Sequence, residues 1–321
     1  MKTAVQNYIR FLNKSSGFRW EAHQEEHQTP WGKRFRVTSY LDADGIETIG
    51  VGNARTPSDA IIISMAEAFE RWSVGRFFLP DSNGCAIHFN KSKADGSARL
   101  ELVERDAFFC HFLTRTSPAF IEQIQFDKDA VIQIYSMSTA LPKLSCCLSV
   151  MTNKQKSNMT LGLSAASSWN SAVRKAVSES QTSWSIKDFK STSPQELINK
   201  MSSGGLIGPM DHHYLSQNSE AIKVFLKFLK AKKRRDLPIV KKRSPLSHAE
   251  TRYHIQTTEF DLQKTFLKNS GLRFVQATCD ELQSPFWGLP KPLFLNQKRL
   301  KAFDANFKDS RVPWDVFHLF A

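Results

Sequence analysis

The clearest periodic signal in the chain begins at Thr56. Apolar residues recur every three to four positions at Ala60, Ile63, Ala66, Phe69 and Trp72, with Ala68 beside them, which is the spacing of one helix face. Thr56 is placed to cap this helix, Pro57 takes its first position, and Asp59 lies in its first turn. A second helix is expected over about 93–114, with Leu100, Val103, Ala107, Phe108 and Phe112 on its apolar stripe. Gly96 weakens its first turn by up to about 1 kcal/mol relative to alanine. A third helix, about 168–184, carries Ala172, Val173, Ala176 and Val177. Strands are expected at 34–40, 47–51, 130–137, 144–151 and 158–163, the fourth of these a buried one holding Cys146 and Cys147.

Outside these elements the pattern is weaker. Residues 1–44 are polar with scattered aromatics, and read as an N-terminal segment with a short helix near 5–13 followed by loops. Residues 45–321 read as one domain carrying a helical, basic insertion at about 186–250. Within the insertion Ile222, Phe225, Leu226 and Leu229 keep helical spacing, while Gly204-Gly205 and Pro245 interrupt it. A helix at 261–269 and a strand at 272–278 are expected, then an irregular region marked by Pro285, Pro290, Pro292 and Pro313.

Composition narrows the class. A chain of 321 residues with 41% hydrophobic and 23% charged residues can bury a large core. It contains no apolar run of membrane-spanning length and no signal-like N-terminus, so a membrane is not an expected partner. Five irregularly spaced cysteines, Cys85, Cys110, Cys146, Cys147 and Cys279, suggest neither a disulfide framework nor a cysteine-rich zinc site, and fit the reducing cytoplasm. The net charge of +13 and pI of about 9.5 favour anionic partners. Much of the excess lies at Lys227–Arg235 and Lys241-Lys242-Arg243, either a solvated helix end or a patch for an acidic peptide or nucleic acid. No nucleic-acid recognition motif accompanies it, and Phe228 is its one aromatic, so nucleic acid ranks last among the partners. His212-His213 has no nearby third ligand and reads as structural. Neither a Gly-x-x-x-x-Gly-Lys-Ser/Thr loop nor a Gly-x-Ser-x-Gly elbow is present.

The candidate chemistry lies in carboxylates. Residues three apart share a helix face, so Glu67 and Glu70 point the same way, with Arg71 one turn after Glu67. Glu101, Glu104 and Arg105 repeat the pattern, and Glu179 on the third helix can join them. Oxygen ligands of this kind suit Mg²⁺, with arginines available for phosphate oxygens. Solvated helix faces carrying ordinary i,i+4 pairs remain the alternative from spacing alone.

Ser82-Asn83-Gly84-Cys85-Ala86 followed by Glu101-Leu-Val-Glu104-Arg105-Asp106-Ala107-Phe108 resembles the central signature of YcaO-domain proteins. The first helix resembles their Ser-x-x-x-Glu-x-x-Glu-Arg motif. Gly162 with Lys175-Ala-Val-Ser-Glu179 is similar to the third motif, and Leu282-Gln283 with Asn296-Gln-Lys-Arg299-Leu300 to the C-terminal region. The resemblance implies an α+β fold of repeated helix and sheet units packed round a central nucleotide site, with the first repeat shortened. It implies ATP and Mg²⁺ as cofactors: Glu67, Glu70, Glu101, Glu104 and Glu179 at the metal, with Arg71, Asn83, Arg105 and Lys175 also at the nucleotide. It implies ATP-dependent activation of a backbone amide in a ribosomal precursor peptide, giving an azoline, thioamide or amidine. A separate substrate-presenting protein is an implied partner, and a homodimer is left open. The chain differs from the family pattern at Ile63, where the motif serine falls, at Lys93, where a glutamate falls, and in the short 72–81 link. These differences motivate the alternative of a non-catalytic scaffold or peptide-binding relative.

Overall fold

The computed structural model describes residues 18–29, 32–141, 143–184, 196, 199, 215–230, 253–313 and 318. The expected helix at 5–13, His212-His213 and the 231–250 part of the basic insertion fall outside them. The chain forms two compact units. One comprises Met1–Glu101 with Ile255–Thr278, the other Leu102–His254 with Cys279–Ala321.

The first unit opens with three antiparallel strands, β1 (Phe18–Thr29), β2 (Gly32–Ala43) and β3 (Ile46–Ala54), in the order β1-β2-β3. The β2–β3 turn is Asp44-Gly45, both at positive φ (53° and 75°), the two-residue geometry that matches strand twist. Helix α1 (Pro57–Arg76) follows at once, and the Thr56 side chain accepts the Asp59 N–H as the sequence predicts. On its buried face Met65, Ala68, Phe69 and Trp72 pack with Leu41 and Ala43 of the sheet, and Ala60 with Val37 and Ala54. At two positions of β3 the approach is too close for any side chain. A Cβ on Gly50 would lie 2.0 Å from the Ser64 carbonyl oxygen, and one on Gly52 2.0 Å from that of Ala60. Strand β4 (Cys85–His88) pairs with β10 (Arg273–Thr278), which pairs with β9 (Gln256–Phe260). Helix α2 (Lys91–Thr114) contains the boundary between the units.

The second unit is built on a meander of β5 (Ala119–Gln125), β6 (Ala130–Met137), β7 (Ser145–Asn153) and β8 (Met159–Ala166). Helix α3 (Trp169–Trp184) packs on it through Ala172, Ala176 and Val177 against Ile132, Ile134, Cys147 and Met151. Cys146 and Cys147 are buried thiols of β7, as a buried strand requires. Helices α4 (Ser219–Phe228) and α5 (Gln297–Phe303) belong to the same unit.

Both units contain the same sheet-and-helix device. Thr48 Oγ1 donates to the Ala68 carbonyl and Thr160 Oγ1 to that of Ser180, each across 20 residues. Gly162 lies under α3 as Gly50 lies under α1, its would-be Cβ 1.9 Å from the Ala176 oxygen. Ser64 Oγ donates to Ile61 and takes a hydrogen bond from Ser39; Ser180 Oγ donates to Val177 and takes one from Ser149. The mixed helix-and-sheet class and the repetition expected from the sequence are both present.

Three sequence expectations need correction. Residues 261–269 do not form an α-helix. A single 3₁₀ turn, Leu262–Lys264, is followed by turns in which Thr265 Oγ1 donates to Leu262 and accepts the Leu267 N–H, a side-chain competition that ends helix growth. Residues 18–29, read as loop, form the long strand β1. Ile63, expected on the apolar face of the first helix, is 46% exposed, while Ser64 beside it is buried.

Candidate functional site

The glutamates of the helices meet the edges of the sheets. Among the described residues β3 and β8 are edge strands of their sheets, and the N–H groups on their outer edges face no partner strand. Glu67 Oε2 on α1 accepts the Val51 N–H of β3 at 2.6 Å, and Glu179 Oε2 on α3 accepts the Leu163 N–H of β8 at 2.7 Å. Both bonds span 16 residues. Glu104 Oε1 on α2 accepts the Ala165 N–H at 2.7 Å, two residues further along β8 and hence on the same edge. Three of the five predicted glutamates are thus held by a charge-assisted bond to rigid backbone. Glu67 is also bound through Oε1 to Arg71 Nη2 at 2.6 Å, and Arg71 Nη1 donates to the Ile49 carbonyl.

Cys85, buried at the start of β4, lies within the electrostatic reach of Glu70 and Glu101. Burial pushes that thiol up first, and the negative fields of Glu70, Glu101 and Asp81 push it further. In the second unit the Cys146 thiol is raised chiefly by burial, with Glu104, Cys147 and Asp106 adding to the rise and Arg105 opposing it. Asn83 sits in the turn before β4, its N–H bound to Asp81 Oδ1 at 2.9 Å. The Asn83 Oδ1 atom is buried without a hydrogen-bond donor. Gly84 (φ 70°) hands the chain into β4, and its carbonyl accepts the Ala277 N–H of β10 at 2.7 Å. Lys175 lies exposed one turn before Glu179 on α3. Lys93 is exposed in the first turn of α2, where its field helps burial to lower the His88 pKa.

Among the described residues no three or more His, Cys, Asp or Glu side chains stand in metal-holding geometry. The chemistry of the donors nonetheless suits a hard cation: carboxylates held by backbone, and at Asn83 a buried amide oxygen awaiting a donor or cation.

Asp106 and Arg299 stand out in the sequence only as letters of the family motifs; in the structure they are a buried pair. Asp106, fully buried, takes two hydrogen bonds from Arg299, Nε at 2.8 Å and Nη2 at 2.6 Å, plus the Gln283 N–H at 2.9 Å. Burial works against the Arg299 charge, but Asp106 outweighs it and raises the arginine pKa. Gln283 and Asn296 knit the surrounding backbone: Gln283 Nε2 donates to Ser284 and Phe294, and Asn296 Nδ2 to Asp280 and Leu282. The 283 and 296–300 segments, singled out only by resemblance, therefore hold the residue that follows Glu104-Arg105. A buried carboxylate directly after that motif, with a distant arginine, was the available signal.

Among solved structures, one titled as a heterocyclase in complex with substrate and cofactor aligns at a TM-score of 0.62 and 11% identity. That alignment covers 96% of this chain and 56% of the heterocyclase. The structure of YcaO from Methanopyrus kandleri bound with AMPPCP and Mg²⁺ aligns at a TM-score of 0.49 and 13% identity, over 67% of this chain and 73% of that one. A chain of the E. coli microcin synthetase McbBCD complex aligns at 0.43 and 12% identity, over 87% and 74%. No curated protein matches the chain by sequence. Helices α1, α2 and α3, which bear the anchored glutamates, all lie within residues 56–263, and that stretch matches the family described as YcaO cyclodehydratase, ATP- and Mg²⁺-binding: the chain belongs to the YcaO family.

Proposed function

We propose that this chain binds ATP with Mg²⁺ and activates a backbone amide of a precursor peptide, leading to a cyclised azoline or to a thioamide or amidine. The observation that supports this reading best is that Glu179 from α3 and Glu104 from α2 are held on neighbouring N–H groups of β8, those of Leu163 and Ala165. Glu67, Glu70, Glu101, Glu104 and Glu179 are the proposed Mg²⁺ ligands, and Arg71, Asn83, Arg105 and Lys175 the proposed nucleotide contacts. ATP supplies the phosphoryl group that turns an amide oxygen into a leaving group.

The chain's own contribution is positioning and charge balance. The edge N–H groups of Val51, Leu163 and Ala165 fix one oxygen of Glu67, Glu179 and Glu104, so these carboxylates lose little freedom on meeting a cation. A carboxylate accepts about four hydrogen bonds or ligands in all, so a backbone tie leaves it ligating capacity. The cytoplasm is the proposed compartment, with a separate protein presenting the substrate.

Calorimetry with ATP and Mg²⁺ on the full chain tests the reading. We expect saturable, Mg²⁺-dependent binding, weakened at least tenfold by Glu101→Gln, and phosphate release that requires a peptide substrate. Absence of heat at millimolar ATP–Mg²⁺ overturns it. One observation favours a second reading, a non-catalytic scaffold: both oxygens of Glu67 are engaged within the unit, by Arg71 and by Val51. That reading predicts no phosphate release with any peptide, and glutamate substitutions that lower stability alone.

A further inference from the structure

Helix α4 uses two faces. Ile222, Phe225 and Leu229 keep a spacing of three to four and are buried, and the Phe225 ring stacks at 6.3 Å on Phe108 of α2. Val224, Lys227 and Phe228 hold the same spacing on a second face. The Phe228 ring meets Phe112 of α2 edge-on, with centroids 5.9 Å apart. Just past the end of α2, Ser117 Oγ donates to the Phe228 carbonyl at 2.7 Å and ties the two helix ends together.

A cavity of about 280 Å³ lies at this junction, lined wholly by the second unit. Phe112, Phe228, Val224 and Pro313 give it apolar walls, with Phe112 and Pro313 buried and Val224 39% exposed. Arg115 and Lys227 also line it, and both are exposed, so the rings form its depth and the cations its mouth. Arg115 holds φ 53°, the left-handed conformation that glycine usually takes at a helix end, and the Thr116 N–H closes on the His111 carbonyl. An L side chain is strained there, yet the position carries a guanidinium aimed at a cavity rather than a glycine. Among the described residues neither Arg115 nor Lys227 takes part in a salt bridge or a side-chain hydrogen bond, and no carboxylate lines the cavity.

We propose that this cavity binds a small amphipathic anion, an aryl or alkyl group one ring wide that ends in a single oxyanion. The apolar walls remove the body of such a ligand from water, and a ring packs offset or edge-on against Phe112 and Phe228. The head meets the planar fork of Arg115 and the point charge of Lys227. Pockets for drug-sized ligands hold about 300–1,000 Å³, so this one suits a ring with a short chain rather than a peptide helix. Carboxylate and phosphate heads share this chemistry. The site is separate from the glutamates: α2 ends at Thr114, ten residues past Glu104 and about 15 Å further along the helix.

The test is ligand-observed NMR and calorimetry on the full chain, with 3-phenylpropionate and phenyl phosphate as probes. We expect saturable binding of at least one, and the tighter of the two names the head group. The neutral 3-phenylpropanol, which lacks the charge, and acetate and inorganic phosphate, which lack the body, bind about fivefold more weakly or worse. Arg115→Gln and Lys227→Gln each weaken the anion about fivefold, the upper end for an exposed ion pair, and leave 3-phenylpropanol unchanged. Val224→Trp fills the apolar part and abolishes binding of every probe. Arg115, Val224 and Lys227 are exposed, so these variants keep the fold, which thermal unfolding checks. Glu101→Gln leaves binding intact, which separates this site from the proposed ATP site. Equal affinity for the anion and the neutral alcohol, unchanged affinity in both cation variants, or no saturation by about 10 mM overturns the proposal. Binding that emerges only after residues 319–321 are removed makes the chain's own end the occupant and overturns it as well.

Discussion

Replacing Arg299 with methionine removes the cation from a site where Asp106 is fully buried. The wild-type pair is bidentate, at 2.8 and 2.6 Å, and Arg299 also lies 5.6 Å from the ring centroids of both Tyr253 and Phe303. After the change Asp106 keeps only the Gln283 N–H at 2.9 Å and a weak Cys110 thiol contact at 3.5 Å. Breaking a buried pair from one side costs about 3–5 kcal/mol, because the remaining charge stays desolvated. Asp106→Leu costs a similar amount, about 3–5 kcal/mol, by stranding the guanidinium. The double variant strands only the Gln283 N–H, which costs roughly 1–3 kcal/mol. The cycle therefore closes with a coupling of about 3 kcal/mol or more. Urea unfolding followed by tryptophan fluorescence measures each corner. At about 2–4 °C per kcal/mol for a unit of 150–250 residues, each single variant melts roughly 6–20 °C lower. A single-variant cost below about 1 kcal/mol, or a coupling near zero, refutes the assignment of this pair as the tie between α2 and the C-terminal segment.

His111 is buried and neutral: Nδ1–H donates to the Thr116 carbonyl, Nε2 accepts the Ser138 N–H, and burial lowers its pKa from 6.5 to about 4. Because the folded pKa lies below the unfolded one, stability is full above pH 6.5 and falls by at most about 3 kcal/mol as pH drops toward 4. The slope of urea midpoint against pH over that window flattens in His111→Gln; an unchanged slope contradicts the reading. Gly162→Ala forces a methyl to 1.9 Å from the Ala176 oxygen and costs about 3 kcal/mol or more, whereas Gly96→Ala, with nothing within 4 Å, gains about 0.5–1 kcal/mol; thermal unfolding separates the two. Ser149→Ala leaves the Ser180 hydroxyl without its buried donor and lowers stability by about 1 kcal/mol in the same assay.

The helices were legible where local chemistry and burial agreed. Thr56, Pro57 and Asp59 state the start of α1 before any tertiary contact exists; the α3 apolar stripe is the face that reaches its sheet, and on α1 Ala60, Ala68, Phe69 and Trp72 are buried as expected while Ile63 is not. β6, β7 and β8 were legible because their long apolar runs are buried on both faces. β1 was not. Phe18-Arg-Trp-Glu-Ala-His-Gln-Glu-Glu-His-Gln-Thr is mostly exposed and lacks apolar alternation, so its strand character comes from pairing with β2 over the whole length. The short β4 is likewise held by β10, remote in sequence. The apolar spacing of Leu262, Phe266 and Leu267 serves burial in the first unit's core rather than a helix.

The glutamates were legible for a reason the spacing argument did not contain. Helical periodicity puts Glu67 and Glu70 on one face but does not say why a carboxylate is needed there. The sheets do. Among the described residues β3 and β8 end their sheets, and an edge N–H beneath a helix is cut off from water and needs an acceptor. A glycine on the strand, Gly50 or Gly162, lets the helix approach until its backbone nearly touches, and a glutamate 16 residues past the next N–H then reaches it. Alanine at the glycine position lifts the helix, and aspartate at the glutamate position falls short. The strand-glycine and helix-glutamate therefore form one unit, used twice in this chain. Glu104 extends the device by approaching the β8 edge from α2, beside Glu179 of α3. The same bond that closes the sheet edge fixes the carboxylate, so stability and the proposed cation-binding geometry rest on one interaction, and glutamine at Glu179 is expected to weaken both together.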